Sequence, residues 1–380
     1  MQLVEKRVIL ATAGSGKTYH IANSLHLNQR NLILTFTNQN VKNIEEELKK
    51  RVKDGVSKTT VMTFSKFLYR WLIRPFEPNF TFADSPVASE GVDIFSTPFE
   101  PTDSEGNRNW RYITDNKLHH YLNKRNKCYY SSRMSKLFIK QGAVLHKKAL
   151  QRLKVFFDYI YIDEVQDFRG NDFEIVKKLL NLKGLSVIAV GDFYQHSVSK
   201  SNFREKKPFK KGKQDVTEEM YLASFNKTII IDKNTLIKSR RVPEEMCGFI
   251  REKLNIDIYS SSPERGEIRI VNEIETLNSV LQDDNVMKLV EKKYEAHSFS
   301  PLNTWSYCKG DTYENTCIIL TGSFSDVVKD GFSFPKKVSQ AQINKLYVAL
   351  TRATNINYIV PKKVYDSWKT SAYEKTGIKR

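Results

Sequence analysis

A chain of 380 residues is long enough to bury a sizeable core and to form two or three domains. Its 61 Lys+Arg outweigh 43 Asp+Glu, a formal net charge of +18 that points to a polyanionic partner such as nucleic acid. No apolar run approaches the roughly 18 residues needed to cross a bilayer, and Cys128, Cys247, Cys308 and Cys317 show no Cys-x-x-Cys spacing. Membrane, zinc and iron–sulfur classes are thereby disfavoured, and a reducing cytoplasm is the natural setting.

In chain order, short apolar runs alternate with amphipathic stretches at Val8–Leu10, Leu32–Phe36 and Val61–Phe64. This alternation predicts an α/β fold. Residues 81–110 turn rich in Ser, Pro, Asp and Glu and read as a surface loop, and residues 111–153 read as basic and helix-compatible. The α/β pattern resumes at Phe156 and runs through Leu185–Val190, followed by a basic tract, Arg204–Lys213, which could meet a polyanion or be a solvated face. A second α/β block follows from about Thr228, with strand candidates at Glu267–Val271, Cys317–Leu320 and Tyr358–Val360.

Two motifs carry chemistry. Ala11 to Thr18 reads Ala-Thr-Ala-Gly-Ser-Gly-Lys-Thr after an apolar run, a phosphate-binding loop with Ala11 at the usual first glycine. Backbone N–H groups of Ala13, Gly14, Ser15, Gly16, Lys17 and Thr18 would line an anion-sized concavity at a helix N-terminus. Lys17 reaches the β- and γ-phosphates of ATP, and the Thr18 hydroxyl suits Mg²⁺. Further on, Tyr159–Ile162 reads as a strand buried on both faces, ending in Asp163-Glu164. A carboxylate there points into the ligand crevice of an α/β sheet. Asp163 would hold Mg²⁺ and Glu164 would act as general base toward water. An isolated Asp-Glu pair would read as an acidic loop; the upstream phosphate loop favours the catalytic reading.

Motif order then makes the chain resemble superfamily 1 helicases of the UvrD/Rep/PcrA type. Thr35-Phe36-Thr37-Asn38 and Thr63-Phe64-Ser65 are similar to the family's strand-contacting segments, and Asp163 to Asp167 matches Asp-Glu-x-Gln-Asp. Gly191-Asp192 to Gln195 matches Gly-Asp-x-x-Gln, whose Gln senses the γ-phosphate. Leu236 to Pro243 places Arg241 at an arginine-finger position, with Arg240 the alternative if the alignment slips by one. Thr304 to Tyr313 contains Lys309-Gly310, and Tyr347 to Ala353 reads Tyr-Val-Ala-Leu-Thr-Arg-Ala, with Arg352 the second finger.

The resemblance implies two RecA-like P-loop NTPase domains with parallel sheets and a nucleotide cleft between them. The first would span 1–227, with a small insertion at about 81–135, and the second 228–380. It implies Lys17, Glu164, Gln195, Arg241 and Arg352 as catalytic residues, with Gly310 added to the ATP site. Thr35, Phe36, Asn38, Thr63, Phe64, Tyr194 and Thr304 are the implied DNA contacts. The implied activity is an ATP- and Mg²⁺-dependent helicase or translocase on single-stranded DNA, or DNA with a single-stranded tail, with 3′→5′ polarity. The alternative is a DNA-gated ATPase switch regulating a protein partner such as a nuclease. Departures from the family pattern are equally legible. Gln2 sits too close to the loop to be the adenine-reading Gln, which leaves the base open to other NTPs, the usual aromatic strand contact is missing or displaced to Phe203, and only about 60 residues separate Arg241 from Thr304. The chain reads as a compact motor stripped of large accessory parts.

Overall fold

The computed structural model describes residues 4–51, 58–80, 82, 88–198, 207–293 and 299–376. Gln2, Phe203 and Arg204 to Lys206 lie outside them. Eleven strands in two sheets organise the described residues, and they confirm the expected α/β class with parallel sheets.

The first sheet is built from β1 (Lys6–Ala11), β2 (Asn31–Thr35), β3 (Thr59–Thr63), β4 (Tyr159–Ile162), β5 (Ser186–Gly191) and β6 (Ile230–Leu236), in the order β6-β1-β5-β4-β2-β3. The pairings of β2 with β3, β2 with β4 and β4 with β5 are parallel. All residues of β2, β4 and β5 are buried, as an apolar strand covered on both faces requires. Helix α1 (Lys17–Ser24) follows β1, α2 (Asn38–Arg51) follows β2, α3 (Ala143–Phe156) precedes β4 and α4 (Gly170–Leu180) precedes β5. In α4, Phe173, Val176, Leu179 and Leu180 are buried, the three-and-four spacing of a helix lying on a sheet.

The second sheet contains β7 (Glu267–Ile270), β8 (Val286–Val290), β9 (Leu302–Thr304), β10 (Tyr313–Ile319) and β11 (Ala353–Val360), all parallel, in the order β7-β11-β10-β8-β9. Its helices are α5 (Glu244–Leu254), α6 (Ile274–Gln282), α7 (Gln340–Leu350) and α8 (Lys362–Thr376). Helix α7 begins in a capping box. The Ser339 hydroxyl accepts from Gln342 N at 3.3 Å while the Gln342 side chain accepts from Ser339 N at 3.0 Å. Residues Leu346 to Leu350 of α7 are all buried, in one core with Val242, Met246, Leu289, Trp305 and Ile318.

Two expectations are refined. Of the stretch 111–153, only Met134–Lys140 and α3 are α-helical. The part before them folds as turns and the strand Cys128–Tyr130, which pairs in parallel with Gly91–Asp93. Asparagine explains the difference: Asn123 and Asn126 each donate to Asp93 Oδ2, at 2.9 and 3.0 Å, in place of a helical register. Within the basic tract, the described part forms an antiparallel ribbon that pairs Lys210–Lys211 with Gln214–Asp215.

By residue contacts the chain divides into two compact units. One comprises Met1–Val8, Thr18–Val190 and Lys200–Ile231. The other comprises Ile9–Lys17, Gly191–Ser199 and Asp232–Arg380, so most of the phosphate loop and the segment Asp192–Gln195 group with the C-terminal residues.

Candidate nucleotide-binding site

In the second unit, the loop after β1 is held from beneath. Thr12 donates through N to Leu236 O at 3.0 Å and through Oγ1 to Ile237 O at 3.1 Å, and the Ser15 hydroxyl donates to Thr12 O at 2.9 Å. Gly14 and Gly16 have φ of +72° and +84°, the left-handed region that glycine enters at least cost. A Cβ at Gly14 would stand 2.7 Å from Ser239 Oγ and 2.8 Å from Arg241 Cβ, so any side chain there would displace that segment. Arg240 N donates to Gly14 O at 2.9 Å, and the Arg240 side chain runs beside Gly16. Both arginines that compete for the finger position therefore border the loop. They differ in burial: Arg240 is exposed, whereas Arg241 is half-buried with its Nε inaccessible.

Around the loop lies a buried polar cluster. Asp192 is 0 % exposed and its Oδ2 accepts from Gln195 Nε2 at 2.8 Å and from the Tyr347 hydroxyl at 3.1 Å. That hydroxyl in turn accepts from Ala13 N at 2.9 Å. Burial beside the Asp192 carboxylate holds the Tyr347 phenol well above its ordinary pKa, so it stays neutral. One turn earlier on α7, the Asn344 side chain meets His196 Nδ1 at 3.1 Å.

Two guanidiniums share this interior. Arg352 is 1 % exposed and donates to Val348 O at 2.8 Å, Thr351 Oγ1 at 2.9 Å and Asp311 O at 3.3 Å. Arg241 donates to Thr312 Oγ1 at 3.2 Å, and its buried Nε has no hydrogen-bond partner among the described residues. Burial, and then the positive charge of Arg352, pushes Arg241 below the usual guanidinium range; burial lowers Arg352 as well. Neither arginine is in an ion pair with a carboxylate among those of the described residues. Gly310, at φ +95°, closes the turn before Asp311 and Thr312.

In the first unit, Asp163 and Glu164 follow β4. Asp163 is 2 % exposed; its N donates to Leu34 O at 2.8 Å and its Oδ2 accepts from Thr35 Oγ1 at 3.2 Å. Glu164 adopts φ 53°, ψ 48°, a left-handed conformation uncommon for a residue with a side chain, and accepts from Gln166 Nε2. The donor chemistry fits Mg²⁺, which takes one or two carboxylates and completes its shell with phosphate oxygens and water. Asp163 and the Thr18 hydroxyl supply hard oxygens of that kind. Among the described residues, no group of three or more His, Cys, Asp or Glu could hold a metal by itself.

The sequence-derived strand contacts separate. Thr35 lies buried at the Asp163 carboxylate. Phe64 is 3 % exposed, its ring edge-on to Phe168 at 4.8 Å, a core position that leaves no face for a base. Phe36 is half-buried against Phe168 at 4.6 Å, and Asn38 is exposed at the start of α2. Thr63 caps the short helix Phe64–Phe67 by accepting from Lys66 N at 3.3 Å. Tyr194 packs against Tyr347, ring centroids 6.0 Å apart. Thr304 accepts from Tyr307 N at 3.1 Å and lines an open groove of about 720 Å³ with Asn303, Lys292, Lys293, Lys345 and Tyr307. Tyr307 is 71 % exposed there. Motif matching singled out Thr304 but missed Tyr307, Lys292, Lys293 and Lys345, as it missed the hydroxyl of Tyr347. The lysine pair after an apolar strand was the one sequence signal for the groove.

The AAA domain family matches residues 3–200, just over half of the chain, and the chain belongs to that family. No curated protein matches it. Among solved structures it is similar to the arterivirus nonstructural protein 10 helicase in complex with DNA, at 13% identity and TM-score 0.46, covering 96% of this chain and 63% of that one. It is also similar to the PRRSV helicase, at 13% identity and TM-score 0.42, covering 94% and 52% respectively. The chain thus spans less than two thirds of either structure. No helix among the described residues is long and apolar enough to cross a membrane.

Proposed function

We propose that this AAA domain protein is an ATP hydrolase that acts on single-stranded DNA as a translocase or helicase. The observation that carries the reading is the pair Arg241 and Arg352, the first half-buried and the second buried in the same unit as the phosphate loop, neither in an ion pair with a carboxylate among the described residues. Two like charges held close together and partly out of water are costly unless a multivalent anion joins them. A triphosphate is such an anion, and phosphoryl transfer is the reaction that most needs cations around the transferred group.

In this reading the loop amides and Lys17 hold the phosphates, and Asp163 and Thr18 would hold Mg²⁺, which screens charge on the phosphates when bound. Glu164 accepts the proton of the attacking water. Gln195 contacts the γ-phosphate, and Arg241 and Arg352 stabilise charge on the transferring group. The groove at Thr304 supports the DNA half of the proposal: lysines suit phosphates, and an exposed tyrosine offers a stacking face indifferent to sequence. The superfamily 1 type and 3′→5′ polarity follow the sequence resemblance.

The test is steady-state ATP hydrolysis with and without single-stranded DNA, with Lys17→Ala as the blank. Strong stimulation by DNA that disappears in Lys17→Ala is the expected result. Absence of hydrolysis above that blank under both conditions would overturn the proposal.

A further inference from the structure

The hydroxyl of Tyr347 joins two segments that the motif reading treats separately. It accepts a hydrogen bond from Ala13 N in the phosphate loop at 2.9 Å and donates to Asp192 Oδ2 at 3.1 Å. The same carboxylate oxygen accepts from Gln195 Nε2 at 2.8 Å, and Asp192 Oδ1 accepts from Tyr194 N at 3.0 Å. The result is an unbroken chain from a loop amide through a phenol and a carboxylate to a glutamine. Tyr347 and Asp192 are both fully buried. Helix α7 carries Tyr347 five residues before Arg352, and the Tyr194 ring rests on the Tyr347 ring.

We infer that Tyr347 is a positioning residue that ties the phosphate loop, through Asp192, to Gln195 and thereby fixes where the Gln195 amide points. The inference rests on the proposed hydrolase reading, in which Gln195 contacts the γ-phosphate. In a buried polar chain each group is satisfied by the next, so deleting the middle member leaves an amide and a carboxylate each short of one bond. Gln195 then keeps its link to Asp192, but Asp192 loses the anchor that fixes it against the loop. A γ-phosphate that draws Gln195 away from Asp192 also changes the pull on Tyr347, and so on the helix that leads to Arg352.

The experiment is a double-mutant cycle on ATP hydrolysis using Tyr347→Phe and Gln195→Ala. Phenylalanine keeps the ring on Tyr194 and removes only the hydroxyl. The expected result is a kcat about tenfold lower in Y347F with KM for ATP within about threefold, the signature of an interaction used in the transition state and not in ground-state binding. In the Q195A background the same substitution should change kcat by less than about twofold, because Tyr347 acts through Gln195. Asp192→Asn breaks the chain from the other side with every ring in place, and should give the same kcat loss and the same non-additivity with Q195A. That variant decides the matter if Y347F folds poorly. Equal fractional losses in both backgrounds, or an unchanged kcat in Y347F, would overturn the inference while leaving the hydrolase reading intact. A wild-type protein that hydrolyses nothing would overturn both.

Discussion

The acidic pair Asp163-Glu164 and the basic pair Arg241/Arg352 are handled oppositely by their surroundings. Asp163 ends a fully buried strand and already accepts from Thr35 Oγ1, and Glu164 accepts from Gln166 Nε2. Each carboxylate thus has a neutral donor beside it that orients one of its oxygens. The two arginines are satisfied mostly by neutral acceptors, and one buried Nε has none among the described residues. The arginines feel the Asp192 carboxylate only through space, with no ion pair to it among the described residues. On the cationic side, direct hydrogen bonds go to neutral oxygens alone among the described residues.

Breaking that side should have the largest effect. Arg352→Ala should lower kcat by roughly 10³–10⁵, the range for an arginine that stabilises a transferring phosphoryl group, with a much smaller change in nucleotide affinity measured by fluorescent-analogue titration. Glu164→Gln removes the acidic side's proton acceptor but keeps its size and its contact with Gln166. Single-turnover hydrolysis should fall by about 10²–10⁴ while ATP still binds, and full activity would remove Glu164 from the base role.

Arg241→Gln separates activity from stability. It should slow hydrolysis and yet raise the nucleotide-free melting temperature by a few degrees, because a half-buried, charge-repelled guanidinium disappears. The sign follows from Arg241 lying below its ordinary pKa: a depressed base is one whose charged form the fold disfavours. A melting temperature that falls would show that Arg241 is well compensated after all. Smallest in scale, Ser339→Ala removes the cap of α7 and should cost about 1 kcal/mol in chemical denaturation. Nucleotide KM should hardly move, which would separate the stability of α7 from the chemistry of the residues it carries.

DNA binding offers a further check on the groove. Every DNA phosphate that a lysine ceases to neutralise lowers the salt slope of single-strand binding by about 0.7. Lys292→Gln with Lys293→Gln should therefore flatten log K against log salt by about 1.4 if both meet phosphates. An unchanged slope would place the strand elsewhere.

The phosphate loop was legible because its geometry is local. Gly14 and Gly16 are needed for positive φ, and Ser15 satisfies Thr12 three residues away. Asp163 was legible because a run of four alternating Tyr and Ile residues reads as a strand buried on both faces, and the next residue must stand at its carboxyl end. Burial of Phe64 was not legible: its neighbour Phe168 lies 104 positions on, and an aromatic in a matched motif looks the same whether it meets a base or another ring.

Sequence alone thus determined the α/β class and pointed to the loop, the acidic pair and the candidate arginines, since each depends on residue type, short spacing or motif order. Tertiary structure decided that Tyr347 reaches Ala13 across 334 positions, that Asp192 collects bonds from Gln195 and Tyr347, and that Arg241 and Arg352 share one interior. Those facts depend on which buried groups find one another when the chain closes. A buried polar atom must take its partner from whatever distance in sequence the fold supplies.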